Sequence, residues 1–252
     1  MQTITFIGNG NMALSIAQGL KEKYHIEVVG RDIAKLEKFE KALNNSIDKY
    51  LLNDFDISDK TVILCIKPNN IQEVSQKLKG KAQLLISILA GTTLESLQKH
   101  FEAISIVRAM PNLAASKQAS MTTLTGDTAY KEKALSILNA IGQTRWLSSQ
   151  KELDIATALA GSGPAYLALI AEALADGAVK QGLKREDALA ITRGLFDGFG
   201  KLIQDTHPAL LKDGVMSPGG TTAAGYSTLE DGGVRASCIN AIESAYKKAT
   251  LL

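Results

Sequence analysis

Apolar residues follow different spacings in the two halves of this chain. Before about residue 148, short apolar runs rich in β-branched residues alternate with stretches of helical spacing; the runs are 4–7, 26–29, 61–66, 84–88 and 104–107. Buried strands that alternate with crossover helices predict a doubly wound parallel sheet. Residues 121–125 and 144–147 are expected to add edge strands to it.

The strand pattern stops after residue 148. Long Ala- and Leu-rich runs over 151–181 and 185–206 carry helical spacing, which predicts an all-helical half. We therefore expect an α/β fold of two domains, with the sheet over 1–148 and the helical domain over 149–252.

The composition favours a small-molecule partner. The formal net charge is +2, from 28 basic and 26 acidic residues, so the basic excess of a nucleic-acid surface is missing. The first residues lack the features of a signal peptide, and the longest apolar helical run, 166–178, is interrupted by Glu172 and Asp176. We expect a soluble cytoplasmic protein that binds neither nucleic acid nor membrane.

The cysteines and histidines give no sign of a metal site or a disulfide. Cys65 and Cys238 lie far apart inside apolar patterns, which favours reduced core thiols. The histidines at positions 25, 100 and 207 are scattered without the spacing of metal ligands, so we expect no metal.

A glycine-rich turn follows the first predicted strand directly. Glycine lets the backbone approach a pyrophosphate, and the N-terminus of the following helix stabilises its charge. A strand, a glycine turn and a helix in this order predict a dinucleotide site, against the alternative of a βα turn that binds nothing. The expected cofactor contacts here are Ile7, Gly8, Asn9, Gly10, Asn11 and Met12.

The end of the second strand bears on which cofactor is bound. Arg31 and Asp32 lie about 20 residues past the glycines, where an arginine meets a 2′-phosphate and an acid holds a ribose hydroxyl. Arg31 favours NADPH, with NADH possible. Asp32 is either the competing ribose ligand or the cap of the next helix.

Later strand ends are expected to line the same crevice, because parallel strands present their carboxyl ends at one edge of the sheet. Asn112 could hydrogen-bond the nicotinamide amide or the substrate. The other candidates are Cys65, Ile66, Lys67, Pro68, Ile88, Leu89 and Ala90.

The second half holds a Ser-Pro-Gly-Gly-Thr-Thr segment at residues 217–222, just where a helix is expected to begin. Free backbone N–H groups at a helix start attract anions, so the segment predicts a carboxylate pocket. The alternative is a plain turn between two helices.

Taken together, these residues resemble the pyrroline-5-carboxylate reductase family. The resemblance spans nearly the full length and is carried by residues 8–13, 67–68, 90–91, 108–112, 161–166, 207–213 and 217–235. It implies a Rossmann domain, a helical dimerisation domain, NADPH or NADH as hydride donor and 1-pyrroline-5-carboxylate as substrate. Two departures are Gly194-Leu195, where relatives often carry Gln and a small residue, and Tyr226 in place of a usual Leu.

The resemblance also implies roles for single residues. It places the substrate carboxylate on Ser217, Gly219, Gly220, Thr221 and Thr222, with Thr222 as the catalytic residue near the imine nitrogen. It puts Asp205 close to the substrate and, on a looser match, Asn53 at the adenine ribose. A homodimer or higher homo-oligomer, in which one chain completes the cofactor site of its partner, is implied in the same way; from the apolar pattern alone, a monomer is an equal alternative.

Two other functions remain open at this stage. A β-hydroxyacid dehydrogenase would carry a catalytic lysine on the first long helix after the linker, and here no lysine lies between Lys151 and Lys180. A non-catalytic NAD(P)H-sensing regulator would need a basic or helix-turn-helix region, which the pattern does not show. The helical half has one histidine, His207, and the same lysine-free stretch, which fits reduction of an imine, whose nitrogen is already basic.

Overall fold

A computed structural model describes residues 1–250. Strands interspersed with helices extend to residue 146, and helices follow. The strands are β1 (Thr3–Ile7), β2 (His25–Gly30), β3 (Asp48–Leu51), β4 (Phe55–Asp56), β5 (Thr61–Leu64), β6 (Leu78–Lys79), β7 (Ala82–Ser87), β8 (Ala103–Met110), β9 (Ser120–Gly126) and β10 (Gly142–Trp146).

The helices are α1 (Asn11–Leu20), α2 (Ile33–Leu43), α3 (Ile71–Ser75), α4 (Leu94–His100), α5 (Lys131–Asn139), α6 (Gln150–Ala156), α7 (Gly163–Lys180), α8 (Arg185–Asp205), α9 (Pro208–Val215), α10 (Thr221–Asp231) and α11 (Val234–Ala249). Short 3-10 helices cover Pro68–Asn70 and Leu113–Lys117, and a π-helical turn, Thr157–Gly161, separates α6 from α7.

The main sheet has eight strands in the order β10-β9-β8-β7-β5-β1-β2-β3. Its neighbours are parallel except β8 and β9, which are antiparallel. The doubly wound α/β sheet is confirmed, with two corrections: β10 covers β9, so β9 is not an edge strand, and the opposite edge is β3. The strand β3, with the sequence Asp-Lys-Tyr-Leu, is mostly exposed and so has no run of buried apolar residues by which to predict it.

Apolar side chains pack on both faces of this sheet. One cluster joins Phe6, Ile63 and Val107 to the inner side of α1 and α2, and a second joins Ile7, Leu64 and Leu85 on the other face. Strands covered on both faces need apolar residues at successive positions, which explains the continuous runs in the sequence. The loops at the carboxyl ends of these strands are thereby held on a rigid frame.

The chain divides into two compact units: residues 1–162 with the residues from Ala245 onward, and Gly163–Ser244. The division falls after the expected domain boundary at residue 148, which stays a prediction. The second unit consists of helices, and α7 and α8 pack against each other. Large apolar side chains on its helices remain exposed, among them Leu169, Leu195 and Ile239.

The helical run Gln150–Lys180 is long and apolar enough, by length and composition alone, to cross a membrane. Only 11% of its most apolar window is buried within the chain. This run therefore presents a largely uncovered apolar surface, which either lipid or another protein surface could cover.

Both cysteines are free thiols. Cys65 is partly buried, but Cys238 is exposed, so the expectation of a core position is wrong for Cys238: it lies on α11, a helix with no buried residue. Among residues 1–250, no group of three or more His, Cys, Asp or Glu side chains is placed to hold a metal ion.

Candidate functional site

A cavity of about 470 Å³ lies in the first unit at the carboxyl edge of the sheet. The loops after β1, β2 and β5 line it. β2 and β5 flank β1 on opposite sides, so this is the point where the strand order reverses and where such sheets bind ligands. The structure brings nine of the expected cofactor residues together here: Ile7, Gly8, Asn9, Gly10, Asn11, Arg31, Cys65, Ile66 and Lys67.

The glycine turn is shaped for close approach of a ligand. Gly8 has φ +106°, and a Cβ at this position would overlap the carbonyl oxygen of Cys65. Gly10 is the N-cap of α1, where no side chain caps the helix, and a Cβ there would meet no atom within 4 Å. The backbone N–H groups at the start of α1 thus face open space.

Four cations line the cavity: Arg31, Lys35, Lys38 and Lys67. Lys35 and Lys38 were not among the predicted cofactor residues. Their signal was helical spacing: Lys35 and Lys38 are three residues apart in α2 and so share a face of the helix, while Arg31 lies just before its N-cap, Asp32. The four cations together favour a ligand that carries more negative charge than a pyrophosphate alone.

Asp32 is the N-cap of α2. Its Oδ1 accepts hydrogen bonds from the backbone N–H groups of Ala34 at 2.9 Å and Lys35 at 3.3 Å. Of its two expected roles, the structure therefore supports the cap. Arg31 lines the cavity and Asp32 does not.

Cys65 contributes to the cavity wall as a neutral group. Burial raises the pKa of its thiol far above the ordinary value, so the side chain stays protonated at physiological pH. Because the thiol is uncharged, it does not repel the negative charge of a pyrophosphate bound beside the glycine turn.

Seven expected cofactor residues do not line this cavity. Leu89 is buried in the core, Met12 and Ile88 pack against the core, and Asn53 is exposed beyond β3. Ile88, Leu89 and Ala90 do follow β7, which neighbours β5, so their loop lies at the same edge of the sheet. The remaining two are Pro68 and Asn112.

The side-chain amide of Asn112 has structural partners. Its Oδ1 accepts a hydrogen bond from the N–H of Ala114 at 3.0 Å, and its Nδ2 donates to the carbonyl of Ala160 in the π-helical turn at 2.9 Å. The expected contact with nicotinamide or substrate stays a prediction. What the structure adds is that Asn112 ties this turn to the end of β8.

In the second unit, residues 217–222 form a turn that leads into α10. Gly219 has φ +70°, and the N–H of Gly220 donates to the carbonyl of Ser217 at 3.0 Å. Gly220 is the N-cap of α10, and no side chain caps the helix. The first N–H groups of α10, beginning at Thr221 and Thr222, are therefore free to bind an anion.

The other expected substrate residue lies at the end of α8. Asp205 is exposed, and no residue within 1–250 forms a hydrogen bond or ion pair with its carboxylate. The structure of the second unit does not join Asp205 to residues 217–222 by such a contact.

Tyr226, one of the two departures from the family pattern, belongs to a polar cluster that links α10 to α11. Nη2 of Arg235 donates to the Tyr226 hydroxyl at 2.8 Å, and that hydroxyl donates to Glu230. Hydrogen bonds from Arg235 and Tyr226 lower the pKa of Glu230 to about 2. Tyr226 thus stabilises the helix whose start carries Thr222.

Comparisons with known proteins find relatives for both the sheet-containing part and the helical part of the chain. A family model described as pyrroline-5-carboxylate reductase dimerisation matches residues 150–252, and one described as NADP oxidoreductase, coenzyme F420-dependent, matches residues 3–91. The pyrroline-5-carboxylate reductase of Helicobacter pylori is 32% identical over 260 residues, with 100% of both chains covered.

Solved structures give the same result. The 1-pyrroline-5-carboxylate reductase of Streptococcus pyogenes matches with a TM-score of 0.88 and 32% identity over 99% of this chain and 98% of that one. The pyrroline carboxylate reductase of Plasmodium falciparum with NADP bound matches with a TM-score of 0.83 and 25% identity over 99% and 98% of the two chains. The Rossmann-type fold, the helical dimerisation domain and the similarity over the full length show that this chain belongs to the pyrroline-5-carboxylate reductase family.

Proposed function

We propose that this chain reduces the C=N bond of 1-pyrroline-5-carboxylate to L-proline in the cytoplasm, with NAD(P)H as hydride donor, as the last step of proline biosynthesis. The observation that carries the proposal is the cavity at the reversal of strand order, with its glycine turn and four cations, in a chain of this family.

The cavity fits a nicotinamide dinucleotide. Gly10 leaves space for the pyrophosphate, and the uncapped N-terminus of α1 supplies N–H donors for it. Ile7, Gly8, Asn9, Asn11, Cys65, Ile66 and Lys67 would form the surrounding wall. When bound, the cofactor supplies the hydride.

NADPH is the better fit of the two cofactors. Arg31 is exposed at the cavity, where a guanidinium can form paired hydrogen bonds with a 2′-phosphate. Lys35 and Lys38 add two positive charges on the same helix face. Asp32, the residue that would favour a free ribose hydroxyl, caps α2 instead.

The N-terminus of α10 is proposed to hold the substrate carboxylate. Its free N–H groups and the partial positive charge of the helix dipole suit an anion. Ser217, Gly219, Gly220 and Thr221 would bind this group, and Thr222 would orient the ring nitrogen. Asp205 is proposed as a further carboxylate near the substrate.

The chemistry needs little from the protein beyond orientation. The imine nitrogen is protonated near neutral pH, so no strong acid has to protonate a developing alkoxide. A threonine hydroxyl is too weak an acid for that task, but it can hold the nitrogen in position and pass a proton from water. Placing the iminium carbon at the hydride donor then accounts for much of the rate.

The test is to incubate the pure protein with NADPH and 1-pyrroline-5-carboxylate, and to follow nicotinamide oxidation together with proline formation. Thr222→Ser should keep substantial turnover, and Thr222→Ala should lose roughly 10- to 100-fold in kcat with little change in NADPH affinity. Wild-type turnover in Thr222→Ala with loss in Thr222→Ser would contradict the role. Tight NADPH binding without turnover in the parent protein would indicate a regulator.

A further inference from the structure

Glu73 contacts one of the cavity cations from outside the cavity wall. It lies on α3 between Asn70 and Val74, both of which line the cavity. Its Oε2 accepts a hydrogen bond from Nη1 of Arg31 at 3.4 Å, and its Oε1 is 3.0 Å from Nζ of Lys77. A carboxylate therefore holds the residue proposed to bind the 2′-phosphate.

The charges around this contact are unbalanced. No Asp or Glu is among the described residues that line the cavity, although four cations are. The hydrogen bond from Lys77, with a smaller contribution from Arg31, holds the pKa of Glu73 below its usual range. Glu73 is thus a full negative charge at neutral pH, and it sits where a 2′-phosphate would need Arg31.

We propose that Glu73 is a specificity-determining residue that weakens the preference for NADPH over NADH, because its carboxylate competes with the 2′-phosphate for Arg31. The proposal rests on the proposed role of Arg31. NADH has no 2′-phosphate, so the contact between Arg31 and Glu73 persists when NADH binds. NADPH has to displace this carboxylate and then tolerate its charge nearby.

Solvent limits how much Glu73 can weaken the binding of NADPH. The side chains of Arg31 and Glu73 are 58% and 45% exposed, so water and salt screen the repulsion between the carboxylate and the phosphate. Repulsion between a carboxylate and a phosphate that lie a few ångströms apart near a protein surface corresponds to about a three- to tenfold change in the affinity for NADPH. The change should shrink as the salt concentration rises.

The test is the binding of NADPH and NADH to the full chain, followed by nicotinamide fluorescence with no imine present. Glu73→Gln should bind NADPH about three- to tenfold more tightly and should leave NADH within about twofold. Glu102→Gln is the control: it makes the same change in net charge, but it lies just before β8, at the amino edge of the sheet. Unchanged NADPH affinity, an equal gain for both cofactors, or the same gain in the control would overturn the proposal.

A double-mutant cycle tests the route through Arg31. In an Arg31→Gln background, the gain from Glu73→Gln should be clearly smaller, since only the direct repulsion between the carboxylate and the phosphate is then left to relieve. An undiminished gain in this background would refute the competition. Because these titrations need no imine, a failure of proline formation leaves them interpretable, while an Arg31→Gln variant that binds NADPH normally would count against the role of Arg31 itself.

Discussion

Gly8 and Gly10 stand two residues apart in one turn, yet they meet different constraints. Gly8 needs a positive φ and lies against the backbone of Cys65, so its missing Cβ serves the fold. Gly10 has an ordinary extended conformation and open space around it, so its missing Cβ serves only what enters that space. The two glycines of one motif therefore have separable roles.

We predict that Gly8→Ala and Gly10→Ala fail in different ways. Gly8→Ala should lower the free energy of unfolding by about 1–3 kcal/mol, because it combines a strained φ with a backbone overlap. Gly10→Ala should keep the melting temperature of the cofactor-free protein but weaken NADPH binding at least about tenfold, because a methyl group would occupy the approach of the pyrophosphate. Thermal melts and nicotinamide fluorescence measure the two effects, and a Gly10→Ala variant with normal NADPH binding would contradict the site.

Arg108 connects two elements, the end of β8 and helix α6. Its side chain is 1% exposed; Nη2 lies 2.8 Å from Oδ1 of Asp154, and Nη1 donates to Oε1 of Gln150 at 3.2 Å. The same Gln150 oxygen accepts the N–H of Leu94 at the start of α4. With Asn112 bound to the π-helical turn, these contacts hold the segment Gln150–Gly161 to the sheet edge.

We predict that Arg108→Met lowers the free energy of unfolding by roughly 2–4 kcal/mol, because it leaves Asp154 without its cation and Gln150 without one donor. Urea unfolding at fixed protein concentration measures the change. Arg145→Met on β10 is the control, since Arg145 is exposed and should stay within about 0.5 kcal/mol of the parent. Equal effects of the two substitutions would mean that the buried contacts of Arg108 stabilise nothing.

At the level of elements, sequence periodicity identified the strands that are buried on both faces and the long helices. It missed β3, because an exposed edge strand such as Asp48–Leu51 has no apolar run to detect. The distance from the glycine turn placed Arg31 at the cavity, but Lys35 and Lys38 were missed, because charges on a helix are usually solvated and only the fold shows that their shared face lines the cavity. The bond from Asn112 to Ala160 spans 48 residues of the chain and could not be predicted from local pattern.

For the whole molecule, the second unit exposes a large apolar surface, which we expect another surface to bury. Leu195 on α8 is 56% exposed, and Leu169 on α7 and Ile239 on α11 exceed 60%. The family model for dimerisation spans residues 150–252 and so includes the apolar run Gln150–Lys180. A second copy of the chain accounts for this surface without lipid, because burial of apolar area drives association of protein surfaces.

We predict that Leu195→Asp dissociates the oligomer, since it would bury a carboxylate without a partner in the interface. Light scattering at assay concentration should give the mass of one chain for this variant and a multiple of it for the parent. Leu51→Asp in the first unit is the matched control, because Leu51 is 53% exposed and lies outside the dimerisation match.

The same variant separates assembly from cofactor binding. The dinucleotide cavity is lined entirely by residues of the first unit, so Leu195→Asp should bind NADPH within about twofold of the parent. Its proline formation should fall roughly tenfold or more, because the proposed substrate residues 217–222 lie on the helical unit, whose exposed apolar surface we expect the partner to bury. A fully active monomer would show that one chain contains everything that turnover requires.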